Sequence, residues 1–263
     1  MGDADLTTGS GTTAVLDRVR VVLVEPSHPG NVGAVARAMK TMGLTGLWLV
    51  RPEGLPSAEA TARASGADDV LHRARHVDSL GEALAGCTVV AGSSARRRGI
   101  EWPERGPREC AHTLVAAAAS DPVALVLGRE RSGLTNGELE LCNLLVRIPA
   151  NPEYSSLNLA AAAQVFCYEV RQASLETAAP AAERAPFEAP ASHDEVSGLL
   201  EHLERVLVQT RFLDPDEPRL LMRRMSRLFR RADLERTEVN ILRGFLAAVA
   251  RGTFPPQGGE GKD

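Results

Sequence analysis

The sequence predicts an α/β fold, a mainly parallel sheet flanked by helices, followed by a small all-helical C-terminal region. Three observations carry that expectation. Up to about Arg171, short β-branched runs alternate with Ala-rich stretches of helical length, the pattern of successive βα units. From Glu176 to Ser192 the chain turns to Ala, Pro and Glu with almost no periodic apolar pattern and reads as a linker. Beyond it the periodicity is helical to Arg251. The expected organisation is a disordered tail over 1–18, an α/β domain over 19–175, a linker over 176–192, a helical domain over 193–251 and a flexible tail over 252–263.

Strands are expected at Val19–Val24, Leu47–Val50, Thr88–Ala91, Val123–Leu127 and Leu145–Ile148. Each is apolar throughout, as a strand covered by helices on both faces must be. Val32–Met42, Pro107–Ala119 and Leu157–Leu175 read as the intervening helices. After the linker, His193–Phe212, Glu217–Arg231 and Asp233–Ala250 make three more, broken at Asp214-Pro215 and near Ala232, where Asp233 can cap the last. On the middle one Leu221, Met225 and Leu228 form one stripe and Arg223, Arg227, Arg230 and Arg231 another. That pattern predicts a basic outer face, either simply solvated or contacting phosphates.

At 263 residues and 44% hydrophobic, the chain has enough apolar material for a substantial core. No signal-peptide pattern and no apolar run of about 18 residues is present, so a cytoplasmic protein without membrane attachment is expected. The four cysteines lie far apart, without the short paired spacings of a zinc site, and are expected as buried thiols with no metal. A net charge of −4 argues against wholesale attraction to nucleic acid. Local clusters can still supply it: Arg96-Arg97-Arg98, and the arginines between Arg219 and Arg236.

Three polar clusters interrupt the βα pattern. The first follows the first strand, with Pro26–Gly33 in a turn, Asn31 at the helix start and Arg37 one to two turns further on. Gly30 and Gly33 suggest close backbone approach, yet G-x-G-x-x-G is absent and no acidic residue ends the second strand, which excludes a dinucleotide fingerprint. The second cluster, Val126 to Asn136, ends a buried strand in Gly128 and Glu130. There the glycine would let a ligand lie against backbone, and the carboxylate is either a surface ion pair or an orienting group for Arg129, Arg37 or a ribose hydroxyl. The third, Ile148 to Asn158, enters the Ala-rich helix through Ser155 and Ser156, either of which can cap it. No G-x-S-x-G and no grouped histidines are present, so hydrolase chemistry has no support.

In this order and spacing, His28–Arg37, Gly128–Thr135 and Ile148–Asn158 resemble the three motifs of the TrmH-like branch of the SPOUT methyltransferases. With the Gly92-Ser93-Ser94-Ala95-Arg96 turn and the helical tail, they are similar to its TrmJ-type enzymes, over about Val19 to Arg251. The resemblance implies a deep trefoil knot in the C-terminal part of the α/β domain and a homodimer with each active site near the subunit interface. It further implies S-adenosylmethionine as cofactor and tRNA as partner, with methylation at the 2′-hydroxyl of anticodon-loop nucleotide 32, a cytidine or uridine. By the same resemblance the cofactor bed is Ser93, Ser94, Ala95, Gly128, Ile148, Ser155, Ser156 and Leu157. Arg37 matches the family's catalytic arginine, and Asn31, Glu130, Ser156 and Asn158 match its supporting positions. Since a guanidinium stays protonated below about pH 12, Arg37 is expected to act electrostatically, oriented by Asn31 and Glu130. Arg96, Arg97, Arg98, Arg223, Arg227 and Arg230 are the expected RNA contacts. The alternatives are a relative acting on ribosomal RNA or another tRNA site, and a non-catalytic RNA-binding module.

Overall fold

Valine- and leucine-rich runs ending in polar turns set the sheet. In the computed structural model, which describes residues 14–94, 104–177, 189–217 and 219–252, they form β1 (Val19–Val24), β2 (Gly46–Val50), β4 (Val89–Ser93), β6 (Val123–Leu127) and β7 (Leu144–Val146). Two short strands, β3 (Arg75–Val77) and β5 (Glu104–Arg105), complete the sheet. Its order is β3-β2-β1-β6-β4-β7-β5, and every adjacent pair is parallel. β7 is thus laid between β4 and β5, both of which precede it, so that the ends of β6, β4 and β7 are neighbours.

Alternate residues of β1 feed two cores. Val19, Val21 and Leu23 face one side, with Val35 and Met39 of α1 (Pro29–Thr41), Leu114 of α5 (Pro107–Ala118) and Phe166 of α7 (Leu159–Thr177). Val22 and Val24 face the other, with Leu84 of α4 (Leu80–Leu84) and Leu139 of α6 (Asn136–Leu139). Two further helices, α2 (Ala58–Ala64) and α3 (Asp68–His72), follow β2. The close approach expected at Gly33 is to α2: a Cβ there would lie 2.0 Å from the Ala60 carbonyl oxygen.

The structure corrects several expectations. Residues 14–18 are not a disordered tail. Leu16 is 1% exposed in the core, Asp17 accepts a hydrogen bond from Thr45, and Arg18 donates to the Ala118 and Ala119 carbonyls that end α5. β3, β5 and the helices α2, α3, α4 and α6 escape a reading by apolar runs. The two strands are three and two residues long with no buried position, and the longest of these helices has seven residues. The helix α7 runs to Thr177, into the expected linker. The four cysteines are buried free thiols, and burial pushes Cys110 and Cys167 up to about 12. Among the described residues no metal-binding group is assembled, and no helix is long and apolar enough to cross a membrane.

The chain divides into two compact units, Met1–Pro186 and Phe187–Asp263. The second holds α8 (His193–Gln209), α9 (Leu221–Arg231) and α10 (Arg236–Arg251). α8 starts at a Ser192–Glu195 capping box and α10 at a Glu235–Glu238 one, so Glu235 takes the role expected of Asp233, whose φ is 48°. Residues 189–191 pair with 234–236 and tie the two helix starts together.

On α9 the expected faces are turned. Met225 and Phe229 pack on the core, whereas Leu228 is 42% exposed. Arg230, expected on the outer face, is 4% exposed and donates to Ser197 Oγ at 3.1 Å and to Ser226 Oγ at 3.4 Å. It also lies 3.1 Å from His193 Nδ1, which must accept because a guanidinium only donates. Burial, then the Arg230 charge, pushes the buried His193 imidazole down to about 3. Between that value and the ordinary 6.5 the unfolded chain binds the proton and the folded unit does not, so stability must fall as pH drops through this window. Thermal denaturation of the helical unit is expected to lose up to about 1.4 kcal/mol per pH unit between pH 6.5 and 4.5, and His193→Gln should flatten that slope.

Candidate active site

The pocket opens where three neighbouring parallel strands end, the edge where ligands collect in α/β sheets. The end of β4 and the turn after it contribute Ser93 and Ser94, the loop after β6 the run Gly128 to Leu134, and the segment after β7 Ile148, Ser155, Ser156 and Leu157, around a cavity of about 200 Å³. The turn after β4 is fixed by Ser94 N–H donating to the Val146 carbonyl of β7 at 3.1 Å.

The loop after β6 folds back on itself. Gly133 N–H donates to the Arg129 carbonyl at 2.9 Å, and a Cβ on Gly128 would lie 2.2 Å from the Gly133 carbonyl carbon. Glycine at 128 is therefore demanded by the chain's own backbone, and the same residue lines the pocket. The loop ends in a capping box, Thr135 with Glu138, that starts α6.

Glu130 leaves this loop toward the start of α1. Its carboxylate accepts from Asn31 Nδ2 at 3.2 Å, from the Ser27 N–H and hydroxyl at 3.2 and 3.1 Å, and from His28 N–H at 3.3 Å. α1 has no side-chain cap and no acidic residue in its own first turn, so Glu130 supplies the negative charge that a helix N-terminus favours. Burial raises the Glu130 pKa, but the hydrogen bond from Asn31 and those around Ser27 outweigh it and hold the carboxyl below its usual value. Asn31 in turn accepts from Asn158 Nδ2 at 3.1 Å, and Asn158 Oδ1 caps α7 by accepting from Ala160 N–H at 2.9 Å. Asn158, not Ser155 or Ser156, is the cap. Both serines are exposed and line the pocket instead.

Glu130, Asn31 and Asn158 thus join all three expected motifs by hydrogen bonds. Arg37 is not part of that chain. It lies two turns along α1, exposed and outside the pocket lining, and among the described residues its guanidinium has no partner. Glu130 therefore orients Asn31, rather than Arg37 or Arg129. Ala95, Arg96, Arg97 and Arg98 lie outside the described residues. Arg131 and Ser132 also line the pocket although sequence reasoning passed over them. Arg129 lines it too, but it is held by Glu25 and Glu138.

The seven-stranded parallel sheet shares its fold with the SPOUT methyltransferases, as its superposition on a solved member shows. Residues 18–168 match the SpoU rRNA methylase family and residues 194–258 the C-terminal domain of the tRNA methyltransferase TrmJ. The chain is 52% identical over 240 residues to the tRNA (cytidine/uridine-2′-O-)-methyltransferase TrmJ of Cronobacter sakazakii, covering 89% of this chain and 97% of that one. It is 53% identical over 249 residues to the tRNA (cytidine/uridine/adenosine-2′-O-)-methyltransferase TrmJ of Pseudomonas aeruginosa, covering 90% and 97%. The crystal structure of TrmJ from Z. mobilis ZM4 superposes with a TM-score of 0.76 at 32% identity, over 88% of this chain and 98% of that one. The chain belongs to the SpoU family of RNA methyltransferases and, within it, to the TrmJ group.

Asn31→Asp would set a second carboxylate about 3.2 Å from Glu130 Oε1. Like-charge repulsion should raise the Glu130 pKa, and methyl transfer should fall about tenfold, on the order of the effect of losing a hydrogen bond to a charged group. Initial rates against pH would check both.

Proposed function

We propose that the chain transfers a methyl group from S-adenosylmethionine to the 2′-hydroxyl of nucleotide 32, a cytidine or uridine, in the tRNA anticodon loop. The observation that carries this reading is one pocket walled by the turn after β4 and by the second and third motif loops, to which the first motif is tied through Glu130, Asn31 and Asn158. The tRNA substrate rests on what the Cronobacter and Pseudomonas relatives are named for, and on the match of the helical unit to a TrmJ C-terminal domain.

The pocket fits the cofactor chemically. Ser93, Ser94, Gly128, Ser155 and Ser156 give it small side chains and main-chain groups, and Ile148 and Leu157 give it apolar surface, suited to an adenosine held by backbone hydrogen bonds. When bound, S-adenosylmethionine supplies an electrophilic methyl on a sulfonium. The protein's part is to align the ribose hydroxyl and to stabilise the negative charge that develops on it. Ser156, Asn31 and Asn158 provide polar groups at the rim, and the charged Glu130 keeps the two amides in place. The Arg37 guanidinium, which offers donors and no acceptor, holds a substrate phosphate or the nascent oxyanion rather than taking a proton.

The working form is a homodimer in this reading, with the active site near the subunit interface. In support, Ala161, Tyr168 and Leu175, seven residues apart on α7, are all exposed, and spacings of seven bring side chains to one helix face. RNA is held by Arg96, Arg97, Arg98, Arg223 and Arg227; Arg230, engaged inside the helical unit, is not among them. The place of action is the cytoplasm, where tRNA is matured.

Mass spectrometry of nucleosides from tRNA lacking the modification tests the reading. Incubation with enzyme and cofactor should yield 2′-O-methylcytidine or 2′-O-methyluridine mapped to position 32, whereas an enzyme specific for ribosomal RNA would leave that tRNA unchanged. Arg37→Ala should lower turnover by about a hundredfold or more, as removal of one transition-state donor does, with cofactor affinity little altered. Near-normal turnover would overturn its assigned role.

A further inference from the structure

We infer that Glu25 is a positioning residue for the methyl-transfer site, acting through Arg129 on the loop that forms one wall of the pocket. The inference rests on reading that pocket as the cofactor bed.

Glu25 follows β1 directly, and Arg51 follows β2. Their φ angles are 45° and 44°, in the left-handed region that side chains other than glycine seldom occupy. Such backbones persist where the surroundings over-determine them, and they gather at functional sites. Here the surroundings are ionic. One Glu25 oxygen takes Arg51 through Nε, at 3.0 Å, and Nη2; the other takes Arg129 Nε. Arg51 continues to the Asp78 carbonyl at 2.9 Å, just beyond β3. Arg129 continues to Glu138 by two parallel bonds of 3.0 and 2.9 Å. An unbroken chain of charge-assisted bonds therefore crosses the ends of β3, β2, β1 and β6 and reaches the capping box of α6.

This chain decides what Arg129 can do. An arginine lining a cofactor pocket invites a role in binding a carboxylate or phosphate, but Arg129 is flanked on both edges by carboxylates. Its charge is neutralised within the protein, and its guanidinium is a brace. The braced segment is Gly128 to Leu134, the longest continuous stretch of the pocket wall, and it carries Glu130 to Asn31. First Arg129, then Arg51, holds the Glu25 carboxyl down to about 2, so the brace remains charged at any working pH. Glu25 and Arg129 are both partly exposed, and ion pairs of that kind contribute little to global stability. Their effect falls on the loop's position.

Glu25→Gln removes the charge and keeps the size; Glu25→Asp keeps the charge and shortens the reach. Arg20→Ala is the comparison, because Arg20 sits at the opposite end of β1 and donates to the Ala83 and Ala85 carbonyls, far from the pocket rim. Calorimetry with S-adenosylmethionine on the full chain, alongside thermal melting, gives the readout. Glu25→Gln should weaken cofactor binding about tenfold, the scale of one hydrogen bond to a charged group, and raise the cofactor KM in parallel with kcat changed less. Arg20→Ala should lower Tm with cofactor affinity intact. If Glu25→Gln fails to fold, Glu25→Asp should still weaken binding severalfold. Cofactor affinity within about twofold of the parent in whichever Glu25 variant folds would overturn the inference. Absence of cofactor binding by the unaltered chain would instead overturn the reading of the pocket and this inference with it.

Discussion

The backbone of Gly133 and Leu134 lies against Gly128 so closely that no side chain can stand between them. The rest of the site depends on this contact. Because the loop folds back there, Arg129 points to Glu25 and Glu138 while Glu130, the next residue, reaches Asn31 and the start of α1. Two neighbouring charged side chains thus anchor one loop in two directions, and the pocket wall between Gly128 and Leu134 is held from both.

Burial of polar groups at the rim is offset by pairing. Glu130 is partly buried and, among the described residues, has no ion-pair partner, a costly state for a carboxylate unless hydrogen bonds satisfy its oxygens. Two backbone N–H groups, a hydroxyl and an amide do so, and the unsatisfied N-terminus of α1 gains the same charge. Asn31 accepts from Asn158 with the amide oxygen left over, and Asn158 caps α7 with its own. Two helix starts and one loop end share a single polar network, so moving any one of them disturbs the others. The order of the strands makes the sharing possible: β7, laid between β4 and β5, brings the segment that carries Asn158 beside the ends of β4 and β6.

The helical unit shows a limit of periodicity. Spacing identified Arg223, Arg227 and Arg230 as neighbours on α9, but spacing cannot say which face is inward when apolar and basic residues occur all round a helix. Ser197 and His193, on another helix, offer acceptors at which a guanidinium can be buried with its donors satisfied. That partner decides the face: Arg230 goes in, and Leu228 stays out.

By itself the sequence determined the parallel α/β class, the extents of β1 and β6, and the three polar clusters, because continuous apolar runs and glycine-rich polar breaks are local signals. It also marked Asn31, Glu130 and Asn158 by their motifs. What only the tertiary structure decided are the partners: Glu130 with Asn31 rather than Arg37, Arg129 with Glu25 across 104 residues, Gly128 against its own loop, and Leu16 in the core. The reason is physical. A residue's own chain neighbours limit its backbone, but which charge or amide it meets depends on strand order and loop return, and neither is written in any single stretch of chain.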